Sequence, residues 1–287
     1  LGRPDYPVRE LLADFERSLP QRLGDEPTVE LPVRRTLARL HYLVGSFEAA
    51  EQHTTRALSL AESLDDTFEQ IDTVLLRARA RFDRGDHEAA LADARRVLQL
   101  AAGNKRYANA VPQALEIEAS CLSRRGDSEQ ALEVAERALA LREGSDALEV
   151  ARSQMQLANL HGSVGRIETA LGYVQAAMQS LAPFGDDHPE AIVAVQHLAF
   201  LEQRRGNHEA AEQGFRDSLA RRRRAYGEDH PHVAWAEVDL AWLLHEQGRD
   251  ADALPLLRGA VPKLRARLGE QHLYVSEALQ RLGAVLT

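Results

Sequence analysis

Apolar residues recur along this chain at spacings of three and four with polar residues between them, as at Leu157, Leu160 and Val164. That is the signature of one buried face of an α-helix. The periodic segments come in pairs separated by a glycine, and each glycine stands five residues ahead of an alanine: Gly45 with Ala50, Gly85 with Ala90, Gly126 with Ala131, Gly165 with Ala170, Gly206 with Ala211, Gly248 with Ala253. Successive glycines are 40, 41, 39, 41 and 42 residues apart. Seven residues before each stands another alanine, at 38, 78, 119, 158, 199 and 241. A period of this length marks a repeat architecture.

Each unit predicts two amphipathic helices, A and B, joined by a turn whose glycine adopts a conformation other residues enter at a cost. The flanking alanines lie where the two helices cross closely, since a larger side chain would push the axes apart. One hairpin cannot bury its own apolar face, so stacking is what makes the core. The expected fold is all-α, an α-solenoid of tandem helical hairpins: residues 1–27 a lone capping helix and linker, 28–273 six repeats, and 274–287 a half-repeat or cap. The lone helix is expected over 8–23, VRELLADFERSLPQRL. Pro255 and Pro262 fall inside the last B helix, where proline removes a hydrogen bond, so that helix is expected to kink or to start late.

Residues 227–232, Gly-Glu-Asp-His-Pro-His, look at first like acids and imidazoles gathered for a metal or for proton transfer. The box recurs, however, at Gly185-Asp186-Asp187-His188-Pro189 and as Gly269-Glu270-Gln271-His272-Leu273, with weaker versions at Gly24, Gly103 and Gly144. At Gly24, Gly144, Gly185 and Gly227 it precedes a turn glycine by 21 residues, which places it at the start of helix A. There glycine ends one helix, acids sit beside the positive end of the next, and proline suits the first turn. The box is a joint between repeats. The sharper alternative, a metal-dependent enzyme using these boxes, requires Asp229, His230 and His232 to converge within a few residues. His87-Glu88 and His208-Glu209 begin like a zinc-protease helix, but the second histidine is replaced by Leu91 and Glu212.

No phosphate-binding glycine loop, G-x-S-x-G elbow or cysteine pair is present, so no catalytic residue, cofactor or metal is expected. With 35 basic against 44 acidic residues the formal charge is -9, which opposes nucleic-acid binding unless a local basic stripe exists. The one basic run, Arg221 to Arg224, follows an apolar-periodic segment, where cations suit a helix C-terminus. The lone Cys121 excludes an internal disulfide and sits among small and apolar residues, as a buried inert thiol does. Together with the lack of membrane-length apolar runs, this gives an expectation of a cytoplasmic protein that does not insert into membranes. The chain starts at Leu1 with methionine only at positions 155 and 178, the expectation being a piece of a longer protein.

These marks resemble the tetratricopeptide repeat: the small residue of helix A, the glycine turn, the alanine five later and the small residue near the end of helix B, as at Ala138-Leu139. The period resembles the 42-residue type of kinesin light chains, in which a G-x-D-H-P box joins the repeats. Residues 24–58, GDEPTVELPVRRTLARLHYLVGSFEAAEQHTTRAL, resemble the entry into the repeat region of bacterial eukaryotic-like serine/threonine kinases. The kinase motifs are missing here, so the resemblance implies only a C-terminal regulatory or docking portion. Free-standing peptide-sensing regulators carry similar arrays.

In such an array the A helices line a concave face presented to extended partners. The residue after each helix-A alanine should point into it: Arg39, Arg79, Ser120, Asn159, Phe200 and Trp242, with Arg35, Gln156, Gln196, Asp239 and His245 a turn away. Arginines would take carboxylates or phosphates, amides a peptide backbone, and Phe200, Trp235 and Trp242 would be apolar anchors, Trp242 foremost. In the opposing reading the aromatics fill space between adjacent A helices and the arginines solvate the end of the array. The expected partner is a protein or extended peptide, and self-association is compatible with the pattern.

Overall fold

The computed structural model describes residues 12, 14–17, 26–142, 144–270 and 272–286. Helices dominate and no strand occurs among the described residues. Two compact units divide at residue 143. The first contains α1 (Pro27–Leu43), α2 (Phe47–Ser63), α3 (Thr67–Arg84), α4 (His87–Ala101), α5 (Ala110–Arg125) and α6 (Ser128–Ala140). The second contains α7 (Ala147–Ser163), α8 (Ile167–Leu181), α9 (Pro189–Arg205), α10 (His208–Tyr226), α11 (Pro231–Glu246), α12 (Asp250–Leu268) and α13 (Leu273–Val285). Of the lone helix expected over 8–23, residues 12 and 14–17 are helical and the rest lies outside the described residues.

In each unit consecutive helices pack on one another, and A helices also touch the next A helix, as α1 does α3 and α11 does α13. This is the α-solenoid arrangement of stacked hairpins. All six turn glycines have positive φ, between 71° and 95°. The amide after each closes back on the carbonyl five residues earlier, as Asp86 does on Arg81 at 2.8 Å and Asn207 on Glu202 at 2.9 Å. This is the bond that satisfies an orphan carbonyl at a helix end. The twelve register alanines flanking these turns are at most 1 % exposed. Close helix crossing is thus the reason for the small residues.

The joints hold a feature that the sequence pattern did not reveal. His188, His230 and His272 are the N-caps of α9, α11 and α13, each Nδ1 accepting from the amide two residues on, at 3.3, 3.2 and 3.1 Å. Proline follows as the first helical residue in α9 and α11. The acids of the boxes do more than sit near a helix end. Asp186 and Asp187 bind Arg221 and Arg224 of the following B helix, while Glu228 and Glu270 bind Arg223 and Arg265 of the preceding one. Together with the bond from Arg222 to Gln196, these pairs occupy the whole basic run. Asp187 is held below the usual carboxylate range chiefly by its hydrogen bond from Arg224.

The late start expected for the last B helix is corrected: α12 runs from Asp250 through Pro255 and Pro262 to Leu268. Both prolines are on the exposed side, as are Ala251 and Arg258, whose carbonyls lose their helical partners. Water can satisfy those carbonyls, so the prolines are tolerated. No described helix is long and apolar enough to cross a membrane. Cys121 is buried, and burial with Glu118 and Glu88 nearby pushes its thiol up to about 11.

Candidate partner-binding face

In the first unit the expected arginines lie on the A helices and are already engaged. Arg35 binds Glu69 on α3 at 2.5 Å, and Arg39 binds Asp72 at 2.8 Å. Arg79 donates to Gln113 on α5 at 2.9 Å. These bonds form a polar ladder between neighbouring A helices. Arg39 and Arg79 keep exposed side chains, whereas Arg35 is half-buried.

In the second unit the expected residues gather into two clusters. The first is centred on Asp239 of α11, which is 3 % exposed. Its carboxylate accepts from Gln196 Nε2 of α9 at 2.6 Å and from Arg281 Nη1 of α13 at 3.0 Å. Arg281 also lies 5.3 Å from the ring centre of Trp235 and 5.6 Å from that of Trp242. Trp235 stacks on Tyr274 at 4.4 Å, and Trp242 packs against His245 at 5.2 Å. His245 in turn bonds Asp250 at 2.6 Å. Burial pushes Asp239 up to about 6, despite the opposing pull of Arg281, Gln196 and Arg222. Both tryptophans therefore brace a half-buried cation between adjacent A helices, leaving them half-exposed rather than free-standing.

The second cluster lies between α7 and α9. Asn159 and Phe200 line a cavity of about 170 Å³ with Ala158, Gly162, His197, Leu201 and Arg204. Phe200 is 38 % exposed and meets Phe215 edge-on at 4.8 Å. Arg204 Nη1 donates to the Gly162 carbonyl at 2.7 Å. A Cβ at Gly162 would lie 3.5 Å from that nitrogen and 3.4 Å from Leu201, ordinary packing distances. Burial holds His197 below the ordinary imidazole range, which keeps it neutral. Among the described residues Asn159 and His197 make no side-chain hydrogen bond, and Arg204 has no carboxylate partner. Gln156 is half-buried on α7, one turn before Asn159.

Larger depressions lie on B helices. One of about 520 Å³ has a floor of Leu219, Leu240, Leu244 and Leu256, but the arginines at its rim, 216, 223 and 249, are each tied to carboxylates. Another, of about 600 Å³, is lined by polar side chains of α2 and Arg84. Size alone does not identify a recognition site. Sequence reasoning missed His197, Arg204 and Arg281. Two of these carry a usable signal, because His197, Asp239 and Arg281 recur at 42-residue intervals in one register. The boxes do not assemble into a metal group among the described residues; the one such group lies elsewhere.

Residues 189–266 and, separately, 112–137 match models of the tetratricopeptide repeat. No curated protein matches the sequence. Among solved structures, a Rap protein complexed with Competence and Sporulation Factor superposes with a TM-score of 0.69 at 17% identity, covering 98% of this chain and 80% of that one. BtubC from P. vanneervenii gives 0.59 at 22% identity, covering 70% and 80%. The putative kinesin light chain repeats of Podosopora anserina give 0.58 at 18%, covering 69% and 97%. At such identities the likeness is one of fold, which does not by itself fix function. The repeat matches over these two segments, the period of glycines and alanines and the stacked hairpins together support a tetratricopeptide-repeat fold for the chain.

Proposed function

We propose that the chain is a non-catalytic protein-interaction scaffold whose A-helix face takes an extended peptide or protein segment, anchored at the cavity of Asn159, His197, Phe200 and Arg204. One observation carries this reading. Three polar side chains surround an exposed aromatic ring with hydrogen-bonding capacity left over, while the cations around the larger depression are already tied to carboxylates. A small apolar site with a few convergent polar groups is what fixes a ligand's orientation. Within the first unit, Arg35, Arg39 and Arg79 would take acidic groups of a partner by exchanging Glu69, Asp72 and Gln113. Gln196, Trp235, Asp239, Trp242 and His245 form the wall beyond Phe200, with Gln156 on α7 before it.

The Rap likeness, spanning 98% of the chain, favours peptide sensing as the form of recognition. The resemblance of residues 24–58 favours a place in a larger cytoplasmic signalling protein, such as the docking portion of a serine/threonine kinase, and the full-length gene sequence checks that context. Recognition itself is tested by fluorescence anisotropy against a labelled peptide library. A binder found in this way should lose at least about tenfold in affinity, ~1.4 kcal/mol, with Phe200→Ala and with Asn159→Ala, while the circular dichroism melts stay close to wild type. A binder indifferent to both substitutions, or a library without any saturating member, overturns the assignment.

A further inference from the structure

The first unit carries a side-chain cluster that the proposed recognition face does not use. Glu16, from the helical stretch 14–17, reaches between α1 and α2. His53 Nε2 of α2 lies 2.8 Å from Glu16 Oε1, and His41 Nε2 of α1 meets the same oxygen. The two imidazoles are stacked with centres 5.4 Å apart, tilted by 17°. Both are buried, at 6 % and 8 % exposure, while Glu16 remains half-exposed. One nitrogen from each ring and one carboxylate oxygen lie within 4.8 Å of one another, supplied by three different segments.

Two imidazole nitrogens and a carboxylate converging on one point are a donor set that zinc takes with water in the fourth position. Calcium and magnesium prefer all-oxygen surroundings, so imidazoles select a transition metal. The half-exposed side of Glu16 leaves a route for the ion and room for the water. We propose that Glu16, His41 and His53 form a binding site for a divalent transition-metal ion of the zinc class, which ties the N-terminal stretch to the first hairpin.

The groups behind the imidazoles set how tightly it binds. A metal-bound ring carries its proton on the other nitrogen, which normally donates to an acceptor. His41 Nδ1 is buried without a partner, so placing a proton there breaks no hydrogen bond. His53 Nδ1 instead faces Arg34 Nη1 at 3.3 Å, an arrangement in which the ring accepts. Metal binding reverses that role, and Nη1 must withdraw while Nε stays on Glu30 at 3.0 Å. Arg34 is therefore a positioning residue that weakens the site.

The test uses the tag-free full chain, stripped with a chelator and titrated with Co²⁺ followed by its ligand-field bands, then with Zn²⁺ in competition. One saturable Co²⁺ per chain, displaced by Zn²⁺, is expected. Glu16→Gln, which keeps the size and the hydrogen bonding of the side chain, and His53→Ala should each weaken binding by at least about tenfold. His208→Ala, an exposed histidine on α10, should not change it. Arg34→Gln supplies an acceptor for the His53 Nδ1 proton and should tighten binding by about tenfold, which a chance surface site would not do. Absence of a saturable site, or Co²⁺ binding by Glu16→Gln with wild-type affinity, overturns the proposal. Weaker binding by Arg34→Gln overturns the role given to Arg34.

Discussion

Gly214 lies within α10, a B helix, where alanine would ordinarily be the better residue. Replacing glycine by alanine in a helix interior gains roughly 1 kcal/mol, because glycine has more backbone freedom to lose. Here the new Cβ would sit 2.8 Å from the Cβ of Ala199 and 3.3 Å from its Cα. Ala199 is fully buried on the helix-A side of the crossing, and most of the obstruction is backbone or the first side-chain atom, which no rotamer can relieve. Overpacking of a tight contact costs about 1–3 kcal/mol. Gly214→Ala should therefore be neutral to destabilising by about 2 kcal/mol. Gly172 on α8 offers the contrast: it is exposed and a Cβ there meets nothing within 4 Å. Gly172→Ala should stabilise by about 0.5–1 kcal/mol. Urea unfolding of both variants, followed by circular dichroism at one temperature, should separate them by about 2 kcal/mol, the difference between overpacking and propensity. The displacement of α10 should also disturb the edge contact of Phe200 with Phe215 and reduce binding at the adjacent cavity. If Gly214→Ala stabilises as much as Gly172→Ala, close approach to Ala199 is not why position 214 is glycine.

Asp239 should make stability fall as pH rises. Its folded-state pKa of about 6 lies above the ordinary aspartate value of about 3.9, so between those values the folded chain holds a proton that the unfolded chain has lost. The loss is about 2 kcal/mol from pH 4 to pH 6, and it should vanish from the difference between buffers in Asp239→Asn; parallel curves for the two proteins would contradict the burial argument. Arg281→Met should cost about 3–5 kcal/mol, since it strands a buried carboxylate, and should shift tryptophan emission as Trp235 and Trp242 lose their shared cation. An unchanged emission spectrum would show that the cation does not brace the rings. For the joints, His230→Ala should cost about 1 kcal/mol through the lost helix cap, while His230→Asn should restore nearly all of it. Equal melting temperatures for the two variants would remove the capping role.

Much of the architecture was legible because its causes are local. A glycine with positive φ and an alanine at a close crossing are demanded wherever two helices turn back on each other, so they repeat with the fold and show in the sequence. The box was legible as a joint for the same reason. What it could not show was that His230 itself is the cap, because histidine is not among the residues ordinarily expected there, or that Asp186 and Asp187 reach arginines more than thirty positions away. The recognition face was legible in register only. Phe200 and Trp242 occupy equivalent positions, yet one borders a cavity and the other leans on Arg281. That distinction depends on residues from a neighbouring repeat.

The arginine–carboxylate pairs that link one hairpin to the next, those of Arg223 and Arg249, have a consequence for how the second unit comes apart. In a linear array, stability is approximately a sum over repeats plus a coupling between neighbours. The coupling sets how far a local opening spreads. Part of it here is carried by partly exposed ion pairs, Arg223 of α10 with Glu237 of α11 and Arg249 with Glu212 of α10, and salt screens such contacts far more than it weakens the alanine crossings inside each hairpin. Ionic strength thus acts on communication between repeats while leaving each repeat nearly intact. At low salt the second unit should open as one cooperative block, and at high salt it should fray repeat by repeat from its ends.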